Sequence, residues 1–397
     1  MGISKKVGGM LEQASWIRKM FEEGARLKKE FGEQNVFDLS LGNPVLEPPK
    51  KMRKAIILAA EDETPGQHRY MPNAGLVEVR EAVARVNAPE CGVQLNLDDV
   101  VMTCGAAGGL NVVLKSLLDP GDEVIIFAPY FVEYLFYADN HGGKAVAVPT
   151  HDDFTLDLDA LAKAITPQTK AVLINSPNNP TGVVYSKESI KALSAVLKEQ
   201  AAKFGTSIYL ISDDPYKKII FGDVETPHIF KYYDNSIYVT SHSKDLALAG
   251  ERIGYALVHP KADEAKKLVA AMIFCTRVLG FVNAPALIQR ALVGSLNESV
   301  DASIYEKKRD MLYKALCDIG YEVVKPGGAF YFFPKSPIED EVQFCRMLAE
   351  EKTLAVPGRG FGSPGYFRLS YCLPDLTLEG AVHGLRAAFE KATQQAS

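Results

Sequence analysis

The sequence predicts an α/β fold, a mostly parallel seven-stranded sheet sandwiched by helices, with a smaller α+β domain beside it. Seven short apolar segments rich in β-branched residues follow one another in the middle of the chain, beginning at Val100, Glu123, Lys144, Ala171, Ser207, Ser236 and Ile253. Continuous apolar runs without polar alternation are typical of strands that are buried on both faces. Helix-like stretches separate several of these segments, and strand–helix alternation favours a parallel sheet.

Composition narrows the class of protein. Of the 397 residues, 47% are hydrophobic and 23% are charged, which is the range of globular proteins. No run of about 18 uncharged apolar residues is present, and the first residues lack the apolar core of a signal peptide, so we expect a cytoplasmic protein without a membrane span. The net charge of −5 argues against a nucleic-acid partner. The cysteines and histidines lack metal-ligand spacing, so no metal site is expected.

The elements in order indicate two domains. One helix-like stretch ends before Gly121, and another runs from Ser186 to a stop at Gly205. After about Ala302 the pattern changes to a long charged helix, short strands near 321–325 and 329–334, a helix, a strand at 367–372 and a last amphipathic helix. We predict a large domain over residues 50–300, and a small domain formed by residues 1–49 and 301–397. The cleft between two domains is a common place for a site.

One segment, Ser241–Tyr255, places a lysine directly after a predicted buried strand. Burial of Lys244 at a strand end would lower its pKa and favour the free amine, which is a nucleophile and a Schiff-base former. Ser241 and Arg252 flank it and could hold one phosphate together. Most lysines lie on the surface, so this lysine is informative only together with its neighbours.

Two further strand ends carry polar side chains. Asn179 follows one strand and offers a neutral hydrogen-bond donor, although a simple turn also explains it. Asp213 ends another strand and would need a cationic partner if buried, although a helix N-cap is the alternative. A protonated pyridine nitrogen would be such a partner, with the Tyr216 phenol donating to the ring oxygen. A lysine Schiff base and a carboxylate on the ring nitrogen are what pyridoxal phosphate chemistry requires.

A fourth motif is the small-residue loop Gly105–Gly109, which opens a predicted helix. Small residues such as Ala106 and Ala107 let a phosphate approach the helix N-terminus. The loop does not fit the dinucleotide-binding or P-loop patterns, which argues against a nicotinamide oxidoreductase. Phe131 is a candidate to stack on a cofactor ring, with a core aromatic as the alternative.

In their order and spacing these motifs resemble fold-type I pyridoxal-phosphate enzymes, specifically the class I/II aminotransferase family. The resemblance runs from about Leu39 to beyond Phe367. The motifs that carry it are RYMPNAG, CGAAGGL, PYF, NSPNNPTG, SDDPY, SHSK with GERIGY, PGGAFYFFP and FRLSY. The resemblance implies pyridoxal 5'-phosphate as the cofactor and an amino acid and a 2-oxo acid as the substrates.

The same resemblance implies a role for each matching residue. Lys244 would carry the Schiff base, Asp213 would pair with the pyridine nitrogen, and Tyr216 and Asn179 would hydrogen-bond the ring oxygen. The phosphate would be bound by Ser241, Arg252 and the backbone of Ala106 and Ala107. Arg368 would pair with the substrate α-carboxylate, helped by the backbone at Gly42. Tyr70 would reach the partner subunit's cofactor, which implies a homodimer.

The predicted function is therefore ping-pong transamination from an L-amino acid to a 2-oxo acid. The alternatives are a C–S β-lyase on the same scaffold and, in a different class, a non-catalytic effector-binding module of a transcription regulator. The module is disfavoured because no helix-turn-helix pattern precedes Leu39 and no basic excess is present. For a distal substrate carboxylate the candidates are Arg359 and Arg277. Tyr130, Phe131 and Tyr134 could instead form a pocket for aromatic substrates.

Overall fold

The computed structural model describes residues 2–13 and 15–396. The helices are α1 Lys5–Gln13, α2 Ser15–Phe31, α3 Lys50–Glu61, α4 Val77–Cys91, α5 Gly105–Leu117, α6 Glu133–Asn140, α7 Leu158–Ala164, α8 Lys187–Phe204, α9 His242–Asp245, α10 Ala265–Val278, α11 Ala286–Leu292, α12 Ala302–Ile319, α13 Glu341–Glu350 and α14 Asp375–Ala396. The strands are β1 Phe37–Asp38, β2 Val100–Thr103, β3 Glu123–Ala128, β4 Lys144–Pro149, β5 Thr169–Asn175, β6 Tyr209–Asp213, β7 Ser236–Ser241, β8 Gly254–Val258, β9 Tyr331–Phe332, β10 Thr353–Leu354, β11 Val356–Pro357 and β12 Phe367–Ser370.

The central sheet confirms the predicted fold class. Its seven strands lie in the order β2-β8-β7-β6-β5-β3-β4, and each corresponds to one of the seven apolar segments. All neighbouring pairs are parallel except the two pairs that β8 makes, with β2 and with β7. The sheet is therefore mostly parallel, as the apolar runs predict.

Burial of the sheet on both faces explains why its strands lack polar alternation. Along β5, Val172 and Ile174 belong to one apolar cluster, whereas Ala171 and Leu173 belong to another on the opposite face. Successive side chains of a strand point to opposite faces, so both faces of β5 are packed. Helices α5 and α10 cover one of these faces.

Strand register brings distant parts of the sequence to one edge of the sheet. Asn175 at the end of β5 is the partner of Asp213 at the end of β6. On the other side, Ser241 at the end of β7 pairs with Gly254, which pairs in turn with Thr103 at the end of β2. The segments that follow β2, β5, β6 and β7, and the segment that precedes β8, therefore meet at a single edge. This edge is where an open α/β sheet binds its ligands.

A smaller α+β unit lies beside the central sheet. It contains the three-stranded sheet β11-β12-β9 and the two-stranded sheet β1-β10, which joins the N-terminal segment to the C-terminal part of the chain. The domain boundaries at residues 50 and 300 stay a prediction. Among the described residues, no helix combines the length and the apolar composition needed to cross a membrane.

The prediction of a strand at 321–325 is wrong. The structure has an extended segment there, and it joins its neighbour through a bond from the Lys335 N–H to the Glu322 carbonyl, 2.9 Å. Pro326 follows directly and has no N–H to donate, and Gly327 and Gly328 instead bond to the Gly182 carbonyl. The chain therefore turns toward the loop that contains Gly182 before a ladder can form.

Candidate active site

A cavity of about 290 Å³ lies at the carboxyl edge of the central sheet, against the smaller unit. It is lined by Gly42, Ala106, Ala107, Leu110, Phe131, Tyr134, Tyr137, Asn175, Asn179, Asp213, Pro215, Tyr216, Ser241, Ser243, Lys244, Arg252, Tyr331 and Arg368. The structure therefore brings together every residue to which the family resemblance gives a role, except Tyr70. They come from segments up to 326 positions apart, as from Gly42 to Arg368.

Asp213 ends β6 and is 5% exposed. Its Oδ2 accepts a hydrogen bond from the Tyr134 hydroxyl, 2.6 Å, whereas its Oδ1 is buried without a hydrogen-bond partner. Burial, with a smaller effect of the neighbouring Asp214, raises the pKa of Asp213 to about 7. A buried carboxylate oxygen without a partner is costly, so this atom favours a ligand that brings an N–H or a positive charge.

Lys244 lies on the single-turn helix α9, directly after β7. Burial, with smaller effects of the nearby Arg368 and Arg252 guanidinium groups, lowers the pKa of its amine to about 8. Its Nζ donates to the Gly42 carbonyl, 2.8 Å, and lies 5.3 Å from the centre of the Phe330 ring. A lysine in these surroundings is a nucleophile close to neutral pH.

The N-terminus of α5 and a guanidinium form an anion site. Gly105 is the first residue of this helix and has a φ of +71°. A Cβ added at Gly105 would lie 2.7 Å from the Arg252 Nη2 atom, so glycine lets the guanidinium group approach the start of the helix. Beside them the hydroxyls of Ser241 and Ser243 lie 2.6 Å apart, and Arg252 Nη1 is 3.5 Å from the Ser243 hydroxyl. Positive charge, hydroxyls and free helix N–H groups together suit a phosphate.

Arg368 on β12 carries a second guanidinium into the cavity and is 9% exposed. Its Nη1 donates to Asn179 Oδ1, 3.0 Å, and its Nη2 donates to the Ser40 carbonyl, 2.7 Å. Its Nε is buried without a hydrogen-bond partner. These two bonds hold the side chain in place while leaving donor capacity, as recognition of a carboxylate requires.

Two tyrosines close the cavity on the side of the smaller unit. The hydroxyls of Tyr216 and Tyr331 lie 2.9 Å apart, and burial raises the pKa of Tyr216 well above its ordinary value. Tyr216 therefore stays protonated and can donate a hydrogen bond. A Cβ on Gly42 would lie 1.9 Å from the Tyr331 hydroxyl, so only glycine fits at this position.

These residues fit pyridoxal 5'-phosphate. The orphaned Asp213 Oδ1 suits a ring N–H, the buried Lys244 amine suits an aldehyde, and the Gly105–Arg252 cradle suits a phosphate. The three features face one cavity, so one molecule with these three groups can satisfy all of them. The arrangement is suited to binding a carbonyl cofactor and to moving a proton at an adjacent carbon.

Sequence reasoning misses several residues of this cavity. Tyr134 is considered only as a pocket aromatic, yet it is the hydrogen-bond donor to Asp213. Ser243 and Asn175 lie next to predicted residues, and their positions at strand ends are a signal that could have found them. Tyr331 sits within the PGGAFYFFP motif, but nothing local to that motif indicates that it contacts Tyr216.

Three predicted residues lie elsewhere. Tyr70 is 92% exposed on the surface of the chain. Arg359 is bound by Glu341, with its Nε 2.7 Å from a carboxylate that is 1% exposed. Arg277 lies against the Phe274 ring on α10, with the guanidinium carbon 5.4 Å from the ring centre. Neither of these two arginines lines the cavity that contains Lys244.

Comparison with known proteins agrees with the chemistry of this cavity. The family model for class I and II aminotransferases matches residues 34–385. The chain belongs to this family. It is a pyridoxal-phosphate-dependent aminotransferase, which confirms the family, the activity and the cofactor predicted from the sequence.

The aminotransferase is similar to characterised and solved relatives over most of its length. It is 33% identical to a probable aspartate aminotransferase of Methanocaldococcus jannaschii, over 89% of this chain and 93% of that protein. An aminotransferase from Eubacterium rectale superposes with a TM-score of 0.95 at 38% identity, covering 98% of this chain and 99% of the other. The structure of the Thermus thermophilus aspartate aminotransferase with maleate superposes with a TM-score of 0.86 at 30% identity, covering 98% of this chain and 100% of the other.

The aminotransferase is expected to capture pyridoxal phosphate more slowly as the pH falls below 8. The pKa of Lys244 is about 8, and an ammonium group cannot attack an aldehyde, so the rate should fall by about tenfold for each pH unit below that value. Stopped-flow absorbance of the cofactor-free protein mixed with the cofactor at pH 6 to 9 measures this rate. Free Nα-acetyl-lysine is the control, because its rate should keep rising above pH 9. A protein profile that follows the free amine would contradict the prediction.

Proposed function

We propose that this aminotransferase moves the α-amino group of an L-amino acid to a 2-oxo acid by a ping-pong mechanism, with Lys244 as the proton-transferring group. The observation that carries this proposal is the meeting of a buried amine, a buried orphaned carboxylate and a buried guanidinium in one cavity. When bound, pyridoxal phosphate supplies the electron-withdrawing ring and the aldehyde carbon that carry the amino group.

In this proposal Lys244 acts as both base and acid. Its amine is neutral over part of the physiological pH range because burial lowers its pKa to about 8. With pyridoxal phosphate bound, the free amine at Nζ would be the group that takes a proton from the substrate α-carbon and delivers it to the adjacent carbon. The Gly42 carbonyl, 2.8 Å from Nζ, gives the amine a resting position on the side of the smaller unit.

Asp213 and its donor Tyr134 hold the ring nitrogen in its protonated form. The Tyr134 hydroxyl donates to Oδ2, which leaves Oδ1 without a hydrogen-bond partner in the protein. A positive ring nitrogen beside Oδ1 would reverse the effect of burial and keep Asp213 ionised. A carboxylate held in this way would stabilise positive charge on the ring nitrogen without reorganisation of water.

The other predicted residues position the cofactor and the substrate. Asn179 turns its Oδ1 to Arg368, which leaves its amide N–H groups for the ring oxygen, and the Tyr216 phenol donates to the same oxygen. The phosphate would be bound by Ser241, Arg252 and the backbone of Ala106 and Ala107, and Phe131 would pack on the ring. Arg368 binds the substrate α-carboxylate through its free donor capacity, with the backbone at Gly42 beside it.

The proposal includes a homodimer in which Tyr70 reaches the cofactor of the partner subunit. Tyr70 is 92% exposed, and its loop is anchored by a bond from the Asn73 amide to the Val282 carbonyl, 2.6 Å. Phe274 and Val278 on α10, the helix that ends shortly before Val282, are also exposed. Exposed aromatic and apolar side chains support a protein contact. Sedimentation at twice the chain mass of 43.4 kDa would agree with a dimer, and a monomer would refute it. The cytoplasmic location stays a prediction.

The test of the function is a panel of amino donors, each with pyruvate or 2-oxoglutarate as acceptor. We expect initial rates that give parallel lines in double-reciprocal plots. More than one equivalent of 2-oxo acid per active site should form from a reactive donor only in the presence of an acceptor. Each donor is also incubated alone, because release of pyruvate and ammonia without an acceptor indicates β-elimination. The absence of any acceptor-dependent product would refute the proposal.

A further inference from the structure

Tyr331 lines the cavity that contains Lys244, yet the proposed function gives it no role. It lies on β9 of the smaller unit and is 3% exposed. Its hydroxyl lies 2.9 Å from the hydroxyl of Tyr216, which follows β6 of the central sheet. A hydrogen bond between two tyrosines therefore joins the smaller unit to the central sheet at the cofactor cavity.

Packing on three sides fixes the position of the Tyr331 hydroxyl. The guanidinium carbon of Arg368 lies 4.7 Å from the centre of the Tyr331 ring. The Gly42 backbone lies against the hydroxyl itself, because a Cβ on Gly42 would come within 1.9 Å of the hydroxyl oxygen. The ring of Tyr216 meets the Tyr331 ring edge-on, with 5.8 Å between their centres. A ring packed in this way has little freedom to turn its hydroxyl away from Tyr216.

The proton count decides the direction of this hydrogen bond once a cofactor is bound. A hydroxyl has one proton to donate, and without a ligand either of the two tyrosines can be the donor. In the proposed function Tyr216 gives its proton to the ring oxygen of the cofactor, so its own oxygen can only accept from Tyr331. Burial raises the pKa of Tyr331 to about 12, so Tyr331 keeps the proton that it would donate at neutral pH.

A structural tie between the two units accounts for only part of this arrangement. A buried hydrogen bond stabilises the contact between two units wherever it lies. Tyr371 of the smaller unit shows that such a bond does not need the cavity, because its buried hydroxyl donates to the Ala329 carbonyl, 3.3 Å, and the residue is outside the cavity lining. The partner of Tyr331, in contrast, is the residue expected to donate to the cofactor.

We propose that Tyr331 is a positioning residue for the ring oxygen of the cofactor: its hydroxyl donates to the Tyr216 oxygen and so directs the single Tyr216 proton to that ring oxygen. This inference rests on the proposed function. A hydroxyl that accepts a hydrogen bond becomes a stronger donor. Stronger donation stabilises negative charge on the ring oxygen, which then holds the proton of the cofactor-bound Lys244 nitrogen less firmly. Tyr331 should thus lower the pKa of that nitrogen.

The experiment titrates the cofactor-loaded protein by absorbance without substrate, since the absorbance reports protonation of the Lys244 nitrogen. Tyr331→Phe keeps the ring and removes the hydroxyl, and it should raise the pKa of this nitrogen by about 0.3 to 1 pH unit. Tyr371→Phe is the matched control, because it removes a buried hydrogen bond of the same unit outside the cavity, and it should leave the pKa unchanged. Tyr216→Phe removes the donor itself and should raise the pKa further than Tyr331→Phe does.

A double variant tests whether Tyr331 acts through Tyr216. In a protein that already carries Tyr216→Phe, the further change Tyr331→Phe should leave the pKa unchanged, because the intermediate hydroxyl is gone. Additive shifts would contradict the inference. If Tyr216→Phe raises the pKa but Tyr331→Phe does not, the inference is wrong and the tyrosine pair only ties the two units together. If neither substitution moves the pKa, the role that the proposed function gives to Tyr216 fails, and the inference fails with it.

A second measurement uses the cofactor-free protein. Calorimetry with pyridoxal 5'-phosphate should show affinity about 2- to 10-fold weaker for Tyr331→Phe, and affinity equal to the wild type for Tyr371→Phe. Urea unfolding of the same proteins measures the cost of each lost hydrogen bond, which we expect to be similar for the two variants. Equal cofactor affinities of the wild type and Tyr331→Phe would contradict the inference.

Discussion

Replacing Lys244 with alanine is expected to lower turnover by about 10⁴-fold and to prevent covalent attachment of the cofactor. The substitution removes both the amine that bonds the cofactor and the group that moves the α-proton, and general acid–base catalysis alone contributes about 10² to 10⁴. Rates with a reactive donor and acceptor pair measure the first effect. Borohydride reduction of the loaded protein followed by peptide mapping measures the second, because only a lysine-bound cofactor leaves a stable label.

A matched control distinguishes this effect from the loss of any buried lysine. Lys217 is also largely buried, pairs with Glu90 at 2.7 Å and lies outside the cavity that contains Lys244. Lys217→Ala should keep the label on the peptide that contains residue 244. Labelling of another peptide in the wild type, or retained turnover in Lys244→Ala, would overturn the assignment of the amine.

Replacing Asp213 with asparagine is expected to lower turnover by about 10² to 10⁴. Asparagine has nearly the same shape and can still accept the Tyr134 hydrogen bond, but it has no negative charge to hold a ring nitrogen in its protonated form. Turnover of the loaded protein measures the loss. An activity within about threefold of the wild type would show that the carboxylate charge is not used.

The same substitution should stabilise the cofactor-free protein at neutral pH. The pKa of Asp213 is about 7 in the folded protein and about 3.9 in an unfolded chain. Between these values the folded protein holds a proton that the unfolded chain has released, so the carboxyl lowers the free energy of unfolding as the pH rises from about 4 to 7. Asparagine removes this loss, which is on the order of 4 kcal/mol above pH 7 because the two pKa values differ by about 3. Urea unfolding of both proteins from pH 5 to 8 measures the difference.

Asp214 provides the control for this substitution. Burial raises its pKa to about 6, but its side chain accepts a hydrogen bond from Ser212 and lies outside the cavity that contains Lys244. Asp214→Asn should stabilise the protein over a similar pH range while leaving turnover within about tenfold of the wild type. Equal unfolding free energies for wild type and Asp213→Asn at every pH would mean that the buried carboxyl carries no electrostatic cost.

Much of the fold could be predicted because the relevant signals are local. The seven strands are continuous apolar segments, and two-sided burial requires that composition whatever the neighbours are. Helix α8 begins after Ser186, which accepts the Ser189 N–H, and ends at Gly205 with a φ of +65°. Both signals are visible in the sequence because caps depend on the residue type at one position. The strand prediction failed at 321–325 because the apolar residues of this segment are packed, but the segment has no neighbouring strand to pair with.

For the candidate site, the residues at the strand ends could be predicted, but their long-range contacts could not. Asp213 ends a strand, and Lys244 and Asn179 follow strands. Parallel strands place their carboxyl ends at one edge, so the meeting of these residues follows from the topology. The hydrogen bond from Tyr134 to Asp213 spans 79 positions and depends on how α6 packs over the sheet. The engagement of Arg359 by Glu341 likewise depends on the fold of the smaller unit.

The sequence by itself determined which segments are strands and helices and which chemical groups stand at the strand ends, because these depend on residue type and on nearest neighbours. Only the tertiary structure decided which polar atoms find partners. Asp213 Oδ1 and Glu133 Oε2 are left without hydrogen bonds because packing of α6 and the sheet removes water from them and supplies no donor. Desolvation arises from the summed contacts of residues distant in the chain, so no local pattern contains it.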